Sequence, residues 1–123
     1  MKTKCFLCLA VCLLILGQKT YAVESALFEA FLKASNTEAN DQFGWSVAVS
    51  GNTAVVGARF EDSAVPGINQ GPAQETNNAA EAAGAAYVFV RNNGVWTFQA
   101  YLKPAVTQAG ANFGWSVAIS GNT

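Results

Sequence analysis

The residues best suited to chemistry in this chain are Gly44-Trp45-Ser46-Val47-Ala48, the paired acids Glu61-Asp62, and the cysteines Cys5, Cys8 and Cys12. A serine flanked by glycines on a strand-to-helix turn is the nucleophile elbow of hydrolases. Gly44–Ala48 has that spacing, with Ala48 in place of the last glycine. Three features argue against a nucleophile. The motif recurs at Gly114-Trp115-Ser116-Val117-Ala118, it leads into a strand pattern, and the chain has no histidine to act as base. Lack of histidine also removes a Ser-His-Asp triad, a Cys-His pair and any imidazole metal ligand. Glu61-Asp62 has no evident apolar pocket that would raise one carboxyl for acid catalysis, and no glycine-rich phosphate loop is present. The expectation is a protein that is not an enzyme, with no catalytic residue and no cofactor.

A metal site is not expected either. Glu61, Asp62, Asn69, Glu75, Asn77, Asn78 and Glu81 all fall within Arg59–Ala83, a 25-residue stretch rich in Ala, Gly, Asn and Gln with Pro66 and Pro72. Their spacing fits no ligand pattern. The stretch reads as a long, solvated surface loop.

The elements that must position these residues begin after a leader. Lys2 and Lys4 precede an apolar run of 13 residues, Cys5–Gly17, and Thr20-Tyr21-Ala22 ends the polar stretch that follows. This is the layout of a secretory signal peptide cleaved after Ala22. A run of that length falls short of the roughly 20 residues a membrane-spanning helix needs. All three cysteines leave with the leader, so residues 23–123 have no disulfide framework. Three of the 7 basic residues leave too, and the rest are outnumbered by 8 acidic ones. That balance excludes a nucleic-acid partner, which needs a basic face. A hydrophobic fraction of 51% against 12% charged excludes a disordered tail. Without another long apolar run, no membrane span is expected after cleavage.

An internal repeat organises the remainder. Residues 28–53 align without a gap on 98–123, an offset of 70, with 16 of 26 pairs identical. Phe43–Thr53 (FGWSVAVSGNT) returns as Phe113–Thr123 (FGWSVAISGNT). Self-similarity at a fixed period signals a solenoid, a propeller or another array. Within one period the elements are strands. Trp45, Val47 and Val49 alternate with Ser46, Ala48 and Ser50, a half-buried pattern, and Gly51-Asn52 then signals a hairpin. Thr53–Ala58 and Gly84–Arg91 are apolar runs suited to strands covered on both faces. After the turn at Asn92-Asn93-Gly94, Trp96, Phe98, Ala100 and Leu102 alternate with Val95, Thr97, Gln99 and Tyr101. Val23–Ala34 has Leu27, Phe28, Phe31 and Leu32 at helical spacing, with Ser25 as a cap. Its match to Phe98–Lys103 nevertheless predicts a strand over Phe28–Lys33, and the second copy predicts one over Trp115–Ser120. The fold class is all-β, with four-stranded antiparallel blades of a β-propeller.

These residues resemble the FG-GAP repeat, which builds the propeller of integrin α-subunits and of many exported bacterial proteins. Phe43-Gly44 and Phe113-Gly114 stand at the "FG" position and Gly57-Ala58 at "GA", with Arg59 replacing the proline. The repeat-motif residues are thus Phe43, Gly44, Trp45, Ser46, Gly57, Ala58, Phe113, Gly114, Trp115 and Ser116. The resemblance implies a secreted or cell-surface binding module with an extracellular protein or glycan ligand, as in cell adhesion. The alternative is a scaffold attached to an enzyme or other domain beyond Thr123. Calcium-binding members carry an acidic loop between the FG and GAP strands. Here the connection is Ser50-Gly51-Asn52-Thr53, and calcium needs about six to eight oxygens, usually from several carboxylates. Trp45, Trp96 and Trp115 are expected to pack blades rather than to hold a sugar. Repeat 1 covers about 28–97, and repeat 2 starts at 98 and stops at 123, which predicts a propeller fragment that self-associates.

Overall fold

The computed structural model describes residues 28–69 and 76–121; the expected leader lies outside them. The described residues contain five strands and no helix: β1 (Phe43–Ser50), β2 (Thr53–Ala58), β3 (Ile68–Asn69), β4 (Ala85–Asn92) and β5 (Val95–Leu102). They form one antiparallel sheet in the order β1-β2-β4-β5-β3. Four full-length strands in this meander, plus a two-residue outer one, make a propeller-type blade. The turns follow from residues that tolerate positive φ. Gly51 (55°) opens the β1–β2 hairpin, and Asn93 (50°) with Gly94 (80°) closes β4 onto β5.

One face of the sheet carries the core. Ala54, Val56 and Ala58 of β2 pack with Ala85, Tyr87 and Phe89 of β4, Tyr101 of β5, and Ala34. The aromatic rings meet edge to face: Phe43–Tyr87 at 5.3 Å, Tyr87–Tyr101 at 5.2 Å and Phe89–Phe98 at 5.9 Å. Each such pair adds about 0.5–1.5 kcal/mol to the area it buries.

Two irregularities decide which residues reach that face. In β1, Phe43 pairs with Ala58 while Ser46 pairs with Gly57, so Gly44 and Trp45 are bulged out of the ladder. In β5, Phe98 pairs with Phe89 but Ala100 pairs with Val88, leaving Gln99 as an extra residue. The bulge reverses the alternation read from the sequence. Tyr101, not Leu102, follows Phe98 onto the core face, where it is fully buried.

Four other expectations need correction. Phe28–Lys33 is neither strand nor helix; Phe28 and Phe31 stack on each other at 5.2 Å but are mostly exposed. Trp115–Ser120 is not a strand either, because no described strand pairs with it. Its neighbour Phe113 makes only an isolated bridge to Gly84. On β1, Trp45, Val47 and Val49 are exposed: the bulge takes Trp45 out of the ladder, and Val47 and Val49, paired with Val56 and Ala54, lie at the rim of the core face where no described residue covers them. Finally, the 59–83 segment is not simply a solvated loop. It contributes β3 to the sheet and places Glu61 and Ser63 in the interior, both at 0% exposure.

Candidate functional site

The repeat motifs meet where the second copy lies across the face of the sheet opposite the core. The two turns share one geometry despite different residues. Asn40, Gln42 and Gly44 have φ of 76°, 57° and 91°, and their counterparts Gly110, Asn112 and Gly114 have 75°, 52° and 81°. In each copy the tryptophan amide closes the turn, Trp45 to the Gln42 carbonyl and Trp115 to that of Asn112, both at 3.0 Å. Gly57, Gly84 and Ala85 form the seat for Phe113-Gly114. A Cβ on Gly57 would land on the Gly114 carbonyl, and one on Gly84 would land on the Phe113 backbone. Only bare backbone lets the two repeats approach so closely. Ser46 Oγ donates to the Gly114 carbonyl at 2.7 Å. Phe43 and Ala58 pair beneath, on the core side, while Ser116 is exposed. Between the sheet and Phe113–Ile119 runs a cleft of about 700 Å³, lined by Thr53, Val55, Val88, Val90 and Val117.

At the rim of this seam the structure joins residues that the sequence reading kept apart. The Arg59 guanidinium carbon lies 3.6 Å from the Trp45 ring centroid, 4.5 Å from that of Trp115 and 4.2 Å from that of Phe60. Trp45 and Trp115 are 5.5 Å apart and about half exposed, at 47% and 54%, so neither is buried between sheets as the sequence suggests. Arg59 Nε donates to Gln42 Oε1 at 2.6 Å, which fixes the plane of the fork. A cation over aromatic faces gains about 0.5–1 kcal/mol when exposed. In the sequence Arg59 is marked only as a departure from the motif. Its position one residue beyond β2, alongside two tryptophans at equivalent repeat positions, was the available signal. Trp96 stands apart, packed against the core of the blade.

A second cluster is wholly internal. Glu61 Oε2 accepts from Lys103 Nζ at 2.7 Å and from the Ser63 amide at 3.1 Å, while Oε1 accepts from Asn36 Nδ2 at 3.2 Å. The Tyr87 hydroxyl donates to Asn36 Oδ1 at 2.7 Å. Both ion-pair side chains are at 0% exposure. Burial draws the Lys103 ammonium below the usual lysine range, opposed by Glu61. The Tyr101 hydroxyl is raised, by burial first and then by Glu61. Among the described residues no group of three or more His, Cys, Asp or Glu side chains could hold a metal ion.

Asp41 borders this cluster and is nearly buried, at 7% exposure. Its carboxyl is pushed up to about 6, by burial first and then by Glu61, Glu38 and Asp62. A raised carboxyl binds its proton more tightly in the folded state than in the unfolded chain. Stability is therefore fuller in acid and falls as pH rises from about 4 to about 6. Asp41→Asn should flatten that slope and raise stability at neutral pH by about 1–2 kcal/mol. Urea melts at pH 4 and pH 7 check this; a variant that keeps the wild-type slope places its origin elsewhere.

The family model of the FG-GAP repeat matches residues 27–89 and 96–123. No curated protein and no solved structure matches the chain.

Proposed function

Since the chain belongs to the FG-GAP repeat family, we propose that it is an exported, noncatalytic β-propeller module that binds an extracellular protein or glycan. The observation that supports this most is the rim formed by Trp45, Arg59 and Trp115. Two half-exposed tryptophans meet at a guanidinium that is hydrogen-bonded through Nε to Gln42. Among the described residues the terminal nitrogens of Arg59 make no hydrogen bond. Aromatic faces pack against the apolar face of a sugar ring or a peptide side chain, and a guanidinium fork donates two parallel hydrogen bonds to a carboxylate. Such a surface binds without performing a reaction.

Export rests on the leader: charge, apolar run and small residues place cleavage after Ala22. The test is to probe the secreted chain against arrays of extracellular glycans and surface proteins. The expected result is a chain beginning at Val23 that captures at least one partner, with capture reduced at least tenfold in Arg59→Ala. Retention inside the cell, or capture indifferent to Arg59, would refute the reading.

A further inference from the structure

The buried cluster around Glu61 contains more than an ion pair. Lys103 and Asn36 hang on opposite oxygens of the same carboxylate, at 2.7 Å and 3.2 Å, and the Asn36 carbonyl oxygen receives the Tyr87 hydroxyl at 2.7 Å. An amine, a carboxamide, a carboxylate touching both, and a donor on the carboxamide oxygen are the parts of an acyl-transfer site. Glu61 and Tyr87 are at 0% exposure, Lys103 at 5% and Asn36 at 8%. We propose that Lys103 and Asn36 become joined by an intramolecular isopeptide bond, formed by the folded chain with Glu61 as proton carrier and Tyr87 as oxyanion donor.

The step balances without a co-reactant. Glu61 takes a proton from the Lys103 ammonium, leaving a neutral amine and a carboxylic acid. The burial that lowers the ammonium's affinity for its proton favours this transfer. The Nζ lone pair attacks Asn36 Cγ, and charge develops on Oδ1, where Tyr87 already donates. Glu61 returns its proton to Nδ2, to which it is hydrogen-bonded, and takes a further proton from Nζ. The Nζ–Cγ bond forms, the Cγ–Nδ2 bond breaks, and ammonia leaves. Nothing is oxidised or reduced. Exclusion of water keeps it from competing with Nζ for Asn36 Cγ.

The four parts come from separate places in the chain: Asn36 precedes β1, Glu61 lies in the 59–83 segment, Tyr87 is on β4, and Lys103 follows β5. The repeat does not duplicate the set. Lys33, the counterpart of Lys103, is exposed, and Val106 stands at the position equivalent to Asn36. The new bond closes a loop containing every described strand, in a segment that has no cysteine for a disulfide. Such a covalent closure restricts the unfolded chain.

Intact mass measured under denaturing conditions on the soluble full chain decides the matter. The expected mass is lower than that of the processed sequence by one ammonia. Proteolysis should yield a branched peptide carrying both Asn36 and Lys103. Glu61→Gln and Lys103→Met should both return to the unreacted mass. A wild-type chain at its unreacted mass overturns the proposal. So does an ammonia loss that persists in Lys103→Met, which would mark a succinimide at Asn36. Cross-linking that survives in Glu61→Gln would overturn the role of Glu61.

Discussion

Replacing Glu61 with alanine is expected to cost about 3–5 kcal/mol of folding free energy, because it leaves a buried ammonium without a partner. Lys103 Nζ has 0% side-chain exposure, and Glu61 is its salt-bridge partner, at 2.7 Å. The same carboxylate also serves the Ser63 amide and Asn36 Nδ2, so one truncation removes an acceptor shared by three donors. Against a domain stability of about 5–15 kcal/mol the loss is large. Urea unfolding at pH 7 measures it. Replacing the pair together, Glu61→Leu with Lys103→Met, should recover the part of the loss that comes from the unpaired charge, since an apolar pair of similar volume needs no desolvation, but not the part that comes from the missing covalent closure. If Glu61→Ala costs less than 1 kcal/mol, the buried ammonium has found another partner and the cluster is not a unit.

Gly84→Ala is the second large effect. Gly84 has φ of +81°, and an added Cβ would land on the backbone of Phe113 and 2.7 Å from the Asn112 carbonyl carbon. The left-handed conformation alone costs a non-glycine residue about 1–2 kcal/mol. Backbone cannot swing aside as a side chain can, so the second repeat must lift off its seat. Gly94→Ala is the matched control, with φ of +80° and nothing within 4 Å of the added carbon. Hydrogen exchange should show the amides of Asn112 and Phe113, which donate to Ala82 and Ala83 at 3.0 and 2.8 Å, losing protection in Gly84→Ala only. Equal behaviour of the two variants would mean that the seat does not hold the second repeat.

Much of this fold is legible in the residues. The duplication at an offset of 70, the Gly51-Asn52 and Asn93-Gly94 turns, and the apolar runs of β2 and β4 locate four strands and their order along the chain. Local pattern fails where a neighbour decides. The extra residue at Gln99 shifts Tyr101 onto the core face, and nothing in an alternating stretch marks where a ladder will slip. Phe28–Lys33 matches β5 in sequence, yet a strand needs a partner to bond with, and none of the described strands supplies one. Lys103 is identical in type to Lys33, so the repeat gives no hint that one is buried and the other exposed. Glu61 sits in a stretch whose composition is that of a loop, and its burial follows from the Lys103 ammonium waiting beneath it. Arg59 was visible only as a mismatch to a motif, because its two tryptophans lie 14 and 56 residues away in the sequence.

A binding module whose rim is Trp45, Arg59 and Trp115 carries its own reporter. Titrating the secreted chain with the tightest partner from the arrays, while following tryptophan emission, should give a saturable change in intensity. The change should disappear, together with at least tenfold of the affinity, in Arg59→Ala, and should persist when Trp96 is replaced by phenylalanine. Saturable binding that leaves the emission unchanged, and that Arg59→Ala does not weaken, would contradict this account of the site.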